Sequence, residues 1–371
     1  LGGTTPTYWT RPTTPADHGS QYRAVVTVDC NGGSSATSSA ATLAVTPAAA
    51  TPAGLVVDDL FQDYLYNNLP YDVSNSVWFA STASSLDASS GLSMMGTVAS
   101  GSSVLWLGYF TDDSAGNLPV HLGIGHALKG TLEFKASNIT SSGGSVRVGF
   151  FDYADGGTRV LNDGFGSGST GNGQNVRGYM AALNFGLQFS GNPFSLYARN
   201  NLGSGDLMGT TGNYLGLGGG PANLNGEPAF QNDTPYTLEF TIDRISLTSV
   251  RVTTALSGGG TNWSHSVMDN TYAYPRFDCI GFRAGNLETA ASPFEFTRFR
   301  VEVLASTPDP IPLSVLWSGG GIQLEWTNPA FKLQSAQEAN GTYSDVPDAS
   351  SPYPVAATES RMFYRLIWTR P

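Results

Sequence analysis

Carboxylates a few ångströms apart on either side of a glycosidic bond are what a glycoside hydrolase needs. Acidic residues sharing a strand face are therefore where hydrolytic chemistry would begin. The closest pairs in this sequence are Glu239 with Asp243 in "YTLEFTIDRI" and Glu295 with Glu302 in "FEFTRFRVEV". Residues four apart on a strand point the same way, so the first pair qualifies. The same spacing also describes an ordinary solvent face, which is the expectation here. His121 and His126 in "VHLGIGHAL" are five apart and point to opposite faces of a strand, which argues against a shared metal. No G-x-S-x-G elbow marks a serine nucleophile.

Oxygen-rich loops give a second kind of candidate. "TDDSAGN" supplies Asp112, Asp113 and Asn117, and "DYADGG" supplies Asp152 and Asp155. Hard cations take such ligands, and calcium is the expected ion, although neither loop has the twelve-residue EF-hand register. A glycan needs something different: aromatic rings for the C–H faces of a sugar, with amides and charged groups for its hydroxyls. The Gly/Asn-rich span 163–227 offers Tyr179, Tyr197, Arg199, Asn200 and Tyr214 as a glycan-binding surface. The alternative is that these rings pin long loops to the fold.

The elements that must position these residues are strands. The chain has 371 residues, 40% hydrophobic and 13% charged, with 45 glycines. That is half the usual share of charge, and no sustained helical stripe is present, so the fold class expected is all-β. A formal net charge of −11 excludes nucleic acid as a partner, because no basic cluster could neutralise phosphates. No run of 18 apolar residues occurs, so no membrane insertion is expected. The cysteines, Cys30 and Cys279, are read as separate thiols, and spacing alone does not decide whether they are bridged.

Strand alternation is clear in "TLEFKAS", "SVRVGFF" and "YTLEFTIDRI". "VLWLGYF" is apolar on both faces, as a strand covered on both sides would be. "FEFTRFRVEV" changes phase between Phe296 and Phe299, which predicts a bulge. "PAAATPAG" and "ASTPDPIP" read as linkers. They divide the chain into a strand cluster at 1–46, a linker at 47–54, a long β region at 55–304, a linker at 305–312 and a module at 313–371.

Three resemblances attach to these segments. "ADHGSQYRAVVTVDCNGGSSATSSAATLAVTP" resembles the last strands of bacterial Ig-like repeats, which implies a partial Ig-like domain with Tyr22 as its corner tyrosine. "LVVDDLFQDYLYNNL" and "FDCIGFRAG…FEFTRFRVEV" resemble the first and last strands of concanavalin A-like (laminin-G-like) jelly-roll sandwiches, which implies that the ends of 55–304 pair side by side. The E-x-D-x-x-E strand of glucanases with that fold, and the R-x-E, Q-x-H and Y-x-K-x-G-x-Y strands of its alginate lyases, are missing. "KLQSAQEANGTYSDVPDASSPYPVAATESRMFYRL" resembles a small β-sandwich module that ends many secreted bacterial polypeptides, which implies an extracellular or cell-surface location.

A three-stranded half-sandwich leaves Tyr8, Tyr22, Val26, Val28, Leu43 and Val45 in need of cover, from the same chain or a second copy. The expectation is a non-catalytic structural or adhesive protein that binds a polysaccharide or cell-surface glycan and forms a homopolymer by strand addition. The alternative is a secreted polysaccharide-active enzyme, a hydrolase or lyase, on the same jelly roll.

Overall fold

The computed structural model describes residues 20–28, 34–42, 50–112, 118–140, 144–154, 156–166, 172–285, 291–305, 311–318, 321–328, 331–355 and 361–368. The chain divides into two compact units, Leu1–Ala50 and Thr51–Pro371.

The first unit has β1 (Gln21–Tyr22), β2 (Val25–Val28), β3 (Ser34–Thr37) and β4 (Ala41–Thr42). Strand β1 pairs with β4 and β2 with β3, all antiparallel. Tyr22, Val25 and Val26 are exposed. Tyr8, Cys30, Leu43 and Val45 lie outside the described residues.

The second unit opens with β5 (Gly54–Asp59), β6 (Asn67–Asp72), β7 (Asn75–Ala80), β8 (Leu86–Asp87), β9 (Met94–Gly96), β10 (Val104–Tyr109) and β11 (Val120–His121). The long strands follow: β12 (His126–Ala136), β13 (Gly144–Asp152), β14 (Arg177–Phe185), β15 (Phe194–Arg199), β16 (Tyr214–Gly220), β17 (Tyr236–Arg244), β18 (Val250–Gly258) and β19 (Thr261–Asp269). Three more complete this part: β20 (Arg276–Phe277), β21 (Cys279–Ala284) and β22 (Phe294–Ala305).

Sixteen of these strands form two eight-stranded antiparallel sheets, the layers of an all-β jelly-roll sandwich, and β11 pairs with β20 in a separate two-stranded sheet. One sheet runs β16, β15, β14, β13, β21, β10, β7, β6; the other runs β19, β18, β17, β12, β22, β9, β8, with β5 also on β22. The opening and closing strands do pair, Phe299 with Asp59 through Val303 with Gly54. The phase change is also a bulge: Glu133 faces Arg298 and Phe134 faces Phe296, leaving Thr297 extra. That extra residue lets Phe294, Phe296, Phe299, Val301 and Val303 all point inward.

Period-two alternation builds the main core. Every second residue of β17 and β18 (Tyr236, Leu238, Phe240 and Ile242; Val250, Val252, Thr254 and Leu256) is buried, and their neighbours are not. Trp78 and Trp106 sit between the sheets, Trp106 stacked on Phe282 with centroids 5.7 Å apart and Trp78 on Phe296 at 6.3 Å. Strand β10 is buried on both faces. Val104 and Trp106 face the main core, whereas Leu105, Leu107 and Tyr109 belong to a second cluster. In that cluster Val160, Leu207 and Met208, from loops 156–166 and 200–213, cover the outer face of the first sheet.

The C-terminal part consists of β23 (Ser314–Ser318), β24 (Gly321–Glu325), β25 (Phe331–Ala336), β26 (Ser344–Asp345), β27 (Tyr353–Val355) and β28 (Phe363–Trp368). They make two three-stranded sheets around Leu324, Trp326, Phe331 and Leu333. The buried Asn328 amide donates to the Ile245 carbonyl at 2.9 Å, tying this part to the sandwich.

Candidate functional site

The acidic pairs come first, because they decide whether hydrolysis has its equipment. On the outer face of the second sheet three of these four carboxylates have a cation beside them: Glu239 with Lys129 at 2.6 Å, Glu295 with Lys135 at 2.9 Å and Glu302 with Arg300 at 2.9 Å. This is the charge ladder of a solvated sheet face. Asp278 is fully buried, but its oxygens take the Tyr153 N–H at 2.9 Å and the Arg159 guanidinium at 3.2 Å. The Cys279 thiol is buried, and burial pushes its pKa well up, so it is held as an inert thiol.

Of the residues expected to hold calcium, Asp113, Asn117 and Asp155 lie outside the described residues. Asp112 is half-buried at the end of its segment. Asp152 is buried: its Oδ1 accepts the Ala154 N–H at 3.1 Å and its Oδ2 accepts from Arg276 Nε at 3.1 Å. One oxygen of Asp152 is therefore taken by a guanidinium. Among the described residues no group of three His, Cys, Asp or Glu side chains stands where it could hold a metal. His126 is buried, and burial lowers its pKa.

The residues expected to form a glycan surface are mostly interior. Tyr179, on β14, is fully buried between the sheets; its hydroxyl donates to Asp269 Oδ2 at 2.8 Å and accepts the Tyr274 N–H at 2.9 Å. Arg199, at the end of β15, is also fully buried. Its guanidinium donates to the carbonyls of Gly173, Ser204, Asp206 and Leu207 at 2.8–3.1 Å. It thereby folds loop 200–213 down over the sheet. Tyr214 is buried beside it, its hydroxyl donating to the Leu207 carbonyl, and burial pushes its pKa up to about 12. Tyr197 is half-buried with its ring against Tyr214, and Asn200 is exposed. Burial leaves Tyr179 and Tyr214 no ring face for a sugar; the pinning alternative describes where they and Arg199 sit.

A cleft lies nearby, at the edge of the sandwich. Strands β16 and β19 are the edge strands of opposite sheets at this side. Glycines make their close approach possible: a Cβ on Gly220 would stand 2.5 Å from His265, and one on Gly218 3.2 Å from Val267. Beside this seam a cleft of about 380 Å³ is lined by Asn223, Leu224, Asn225, Glu227, Pro228 and Trp263. The Trp263 ring is half-buried and is held edge-to-face against Phe189, centroids 4.8 Å apart.

The opposite wall is a fixed loop. Residues 224–230 are stitched to 186–191 by backbone bonds: Gly226 N–H to Phe189 O at 2.8 Å, Phe189 N–H to Glu227 O at 3.0 Å and Ala229 N–H to Leu187 O at 3.0 Å. Asn223 Oδ1 accepts the Asn225 N–H at 3.2 Å and shapes the turn. Half-buried Leu224 packs on the core, while Asn223, Asn225, Glu227 and Pro228 stay exposed. The Asn225 amide and the Glu227 carboxylate have no side-chain partner among the described residues.

This arrangement can bind. An indole wall faces two amides and one carboxylate on a loop whose backbone is already fixed, so little ordering cost remains for a ligand. One carboxylate, Glu227, is among its lining residues. The sequence reading did not single out Trp263, Asn223, Asn225 or Glu227. The signal available was the Asn-rich turn "PANLNGEP" and a tryptophan within the polar strand "TNWSHSVMD".

No family model and no curated protein matches the chain. Solved structures do. A Lotus tetragonolobus seed lectin is 9% identical, with 66% of this chain and 98% of that one covered, at a TM-score of 0.35. The exoplasmic/lumenal domain of VIP36 in its Ca2+/Man2-bound form is 12% identical, covering 69% and 92%, at a TM-score of 0.39. Alginate lyase Aly36B is 12% identical, covering 68% and 98%, at a TM-score of 0.35. At such identities no ligand or activity is carried over to this chain.

Proposed function

We propose that this is an extracellular, non-catalytic carbohydrate-binding protein whose site is the Trp263 cleft. The observation that supports it is the juxtaposition of an indole with Asn223, Asn225 and Glu227 on a loop tied down by its backbone. Sugars present an apolar C–H face ringed by hydroxyls, and this wall pairs a ring with groups that donate and accept. No helix among the described residues is long and apolar enough to cross a membrane.

The experiment is a glycan array read with the wild-type chain and with Trp263→Ala, beside a reducing-end and unsaturated-product assay on the polysaccharides that bind. Binding should disappear in the variant and no new chain ends should form. Binding that survives Trp263→Ala would remove the cleft from the reading. Product formation lost on replacing one acidic residue would make the protein an enzyme.

A structural role is the second part of the proposal. Tyr22, Val25 and Val26, exposed at 40%, 61% and 62%, support strand addition between copies as the cover for the N-terminal unit.

A further inference from the structure

The chemistry of the cleft wall narrows its ligand class. Six residues line the cleft; Glu227 carries its charge, and none of the six is cationic. The Glu227 carboxylate is exposed and has no partner among the described residues. Its neighbours on the loop, Asn223 and Asn225, are neutral. With a formal net charge of −11 on the chain, the surrounding field reinforces that one carboxylate.

Resting on the carbohydrate reading above, we propose that Glu227 makes the Trp263 cleft prefer uncharged glycans, binding neutral hexose oligosaccharides more tightly than uronate- or sulfate-bearing ones. A neutral sugar has hydroxyl protons to give, and a carboxylate accepts them in charge-assisted bonds. The two asparagine amides can donate and accept around the rest of the ring. A uronate brings a second carboxylate with no proton to share at neutral pH. No ammonium or guanidinium lines the cleft to bridge the two. At a separation of about 4 Å in water, such a pair weakens binding by about fivefold. Salt screens the effect, so it is largest at low ionic strength.

Titration calorimetry on the full chain tests this, using gluco-, manno- and galacto-oligosaccharides against oligouronates of matched length in low salt. Wild type should bind a neutral series and bind the uronates at least about fivefold more weakly. Glu227→Gln keeps the shape of the side chain and removes its charge, so the gap should shrink by about that factor; Glu227→Ala should narrow it likewise. Uronates that bind wild type as tightly as neutral sugars, or a gap unchanged in both variants, would overturn the selectivity while leaving the carbohydrate reading in place. If no saccharide of either series binds, or if binding ignores Trp263→Ala, the carbohydrate reading itself falls and the selectivity with it.

Discussion

Asp59 is a carboxylate whose removal should cost the fold heavily. It ends β5, is 4% exposed, and carries three hydrogen bonds. Its Oδ1 accepts the Phe61 N–H at 2.8 Å, and its Oδ2 accepts the Ser76 N–H at 2.9 Å and the Ser76 hydroxyl at 2.6 Å. Ser76 Oγ in turn accepts the Trp78 indole N–H at 2.7 Å, so the chain of bonds ends on a ring at the centre of the core. Asp59→Ala strands two buried backbone N–H groups that cannot turn elsewhere; the serine hydroxyl can. Each stranded donor costs about 1–3 kcal/mol, which gives about 2–6 kcal/mol in total. That is a large share of the roughly 5–15 kcal/mol that holds a typical domain together.

The assay is urea unfolding followed by tryptophan fluorescence, comparing midpoints at equal slope. Asp59→Asn should also destabilise, because its amide nitrogen must face one set of N–H donors. Acid gives a second readout. Burial raises the Asp59 pKa above the ordinary 3.8, so the folded state holds the proton more tightly than the unfolded chain. The cost of its charge is therefore complete above the folded value and vanishes as pH falls below 3.8. The stability gap between wild type and Asp59→Asn should widen on acidification. A loss below about 1 kcal/mol for Asp59→Ala would refute the claim that these N–H groups depend on this carboxylate.

The neighbouring Asp58 should behave in the opposite way. Its hydrogen bonds from Arg298, at 2.6 and 2.7 Å, hold its pKa below 3.8, so its contribution is complete above 3.8 and is lost as pH falls through the lower folded value. Arg298→Ala should cost no more than about 1 kcal/mol near neutrality, since the pair is partly solvated, and should flatten that acid limb in pH-dependent unfolding curves. Gly108→Ala would put a methyl 2.6 Å from the Trp78 ring. Overpacking of this kind costs about 1–3 kcal/mol, read as a lower urea midpoint, and an unchanged midpoint would mean that the ring has room to shift. Deleting residues 1–46 should abolish self-association in size-exclusion chromatography with light scattering, and an unchanged oligomeric state would remove strand addition from the proposed function.

What could be read from the sequence was local. Alternation in β17 gave its buried face directly, and apolar residues on both sides of β10 announced two layers of cover. The slip between Phe296 and Phe299 gave a bulge, because an extra residue is the one way to keep both aromatics inward. The misplaced residues failed for a physical reason. Arg199 gives both terminal nitrogens of its guanidinium to backbone carbonyls, and every sequence supplies those, so no partner residue advertises the burial. Tyr179 stands in a Gly/Asn-rich span that reads as loop, yet it belongs to the nine-residue strand β14. Trp263 and Asn223 are brought together when the edges of two different sheets close on each other, and strand periodicity carries no information about that.

The covered outer face explains why the candidate site is at the rim. A sheet face open to solvent could offer a polysaccharide a long groove, but here loops 156–166 and 200–213 bury Leu105, Leu107, Tyr109 and Met180 beneath them. Arg199 holds the second of these loops through three carbonyls, those of Ser204, Asp206 and Leu207. The other sheet's outer face is spent on Lys129–Glu239, Lys135–Glu295 and the Asp58–Arg298–Arg300 network. One place where an aromatic ring stays accessible is where the edges of the two sheets meet, at Trp263. At that edge Gly218 and Gly220 bring β16 onto Val267 and His265, residues of the same strand as Trp263. Because those neighbours are packed against backbone, the indole has a rigid footing, and the loop facing it is fixed by main-chain bonds. A cleft built on rigid elements discriminates by the chemistry of its lining, and the proposed selectivity therefore rests on the carboxylate of Glu227 and the amides of Asn223 and Asn225.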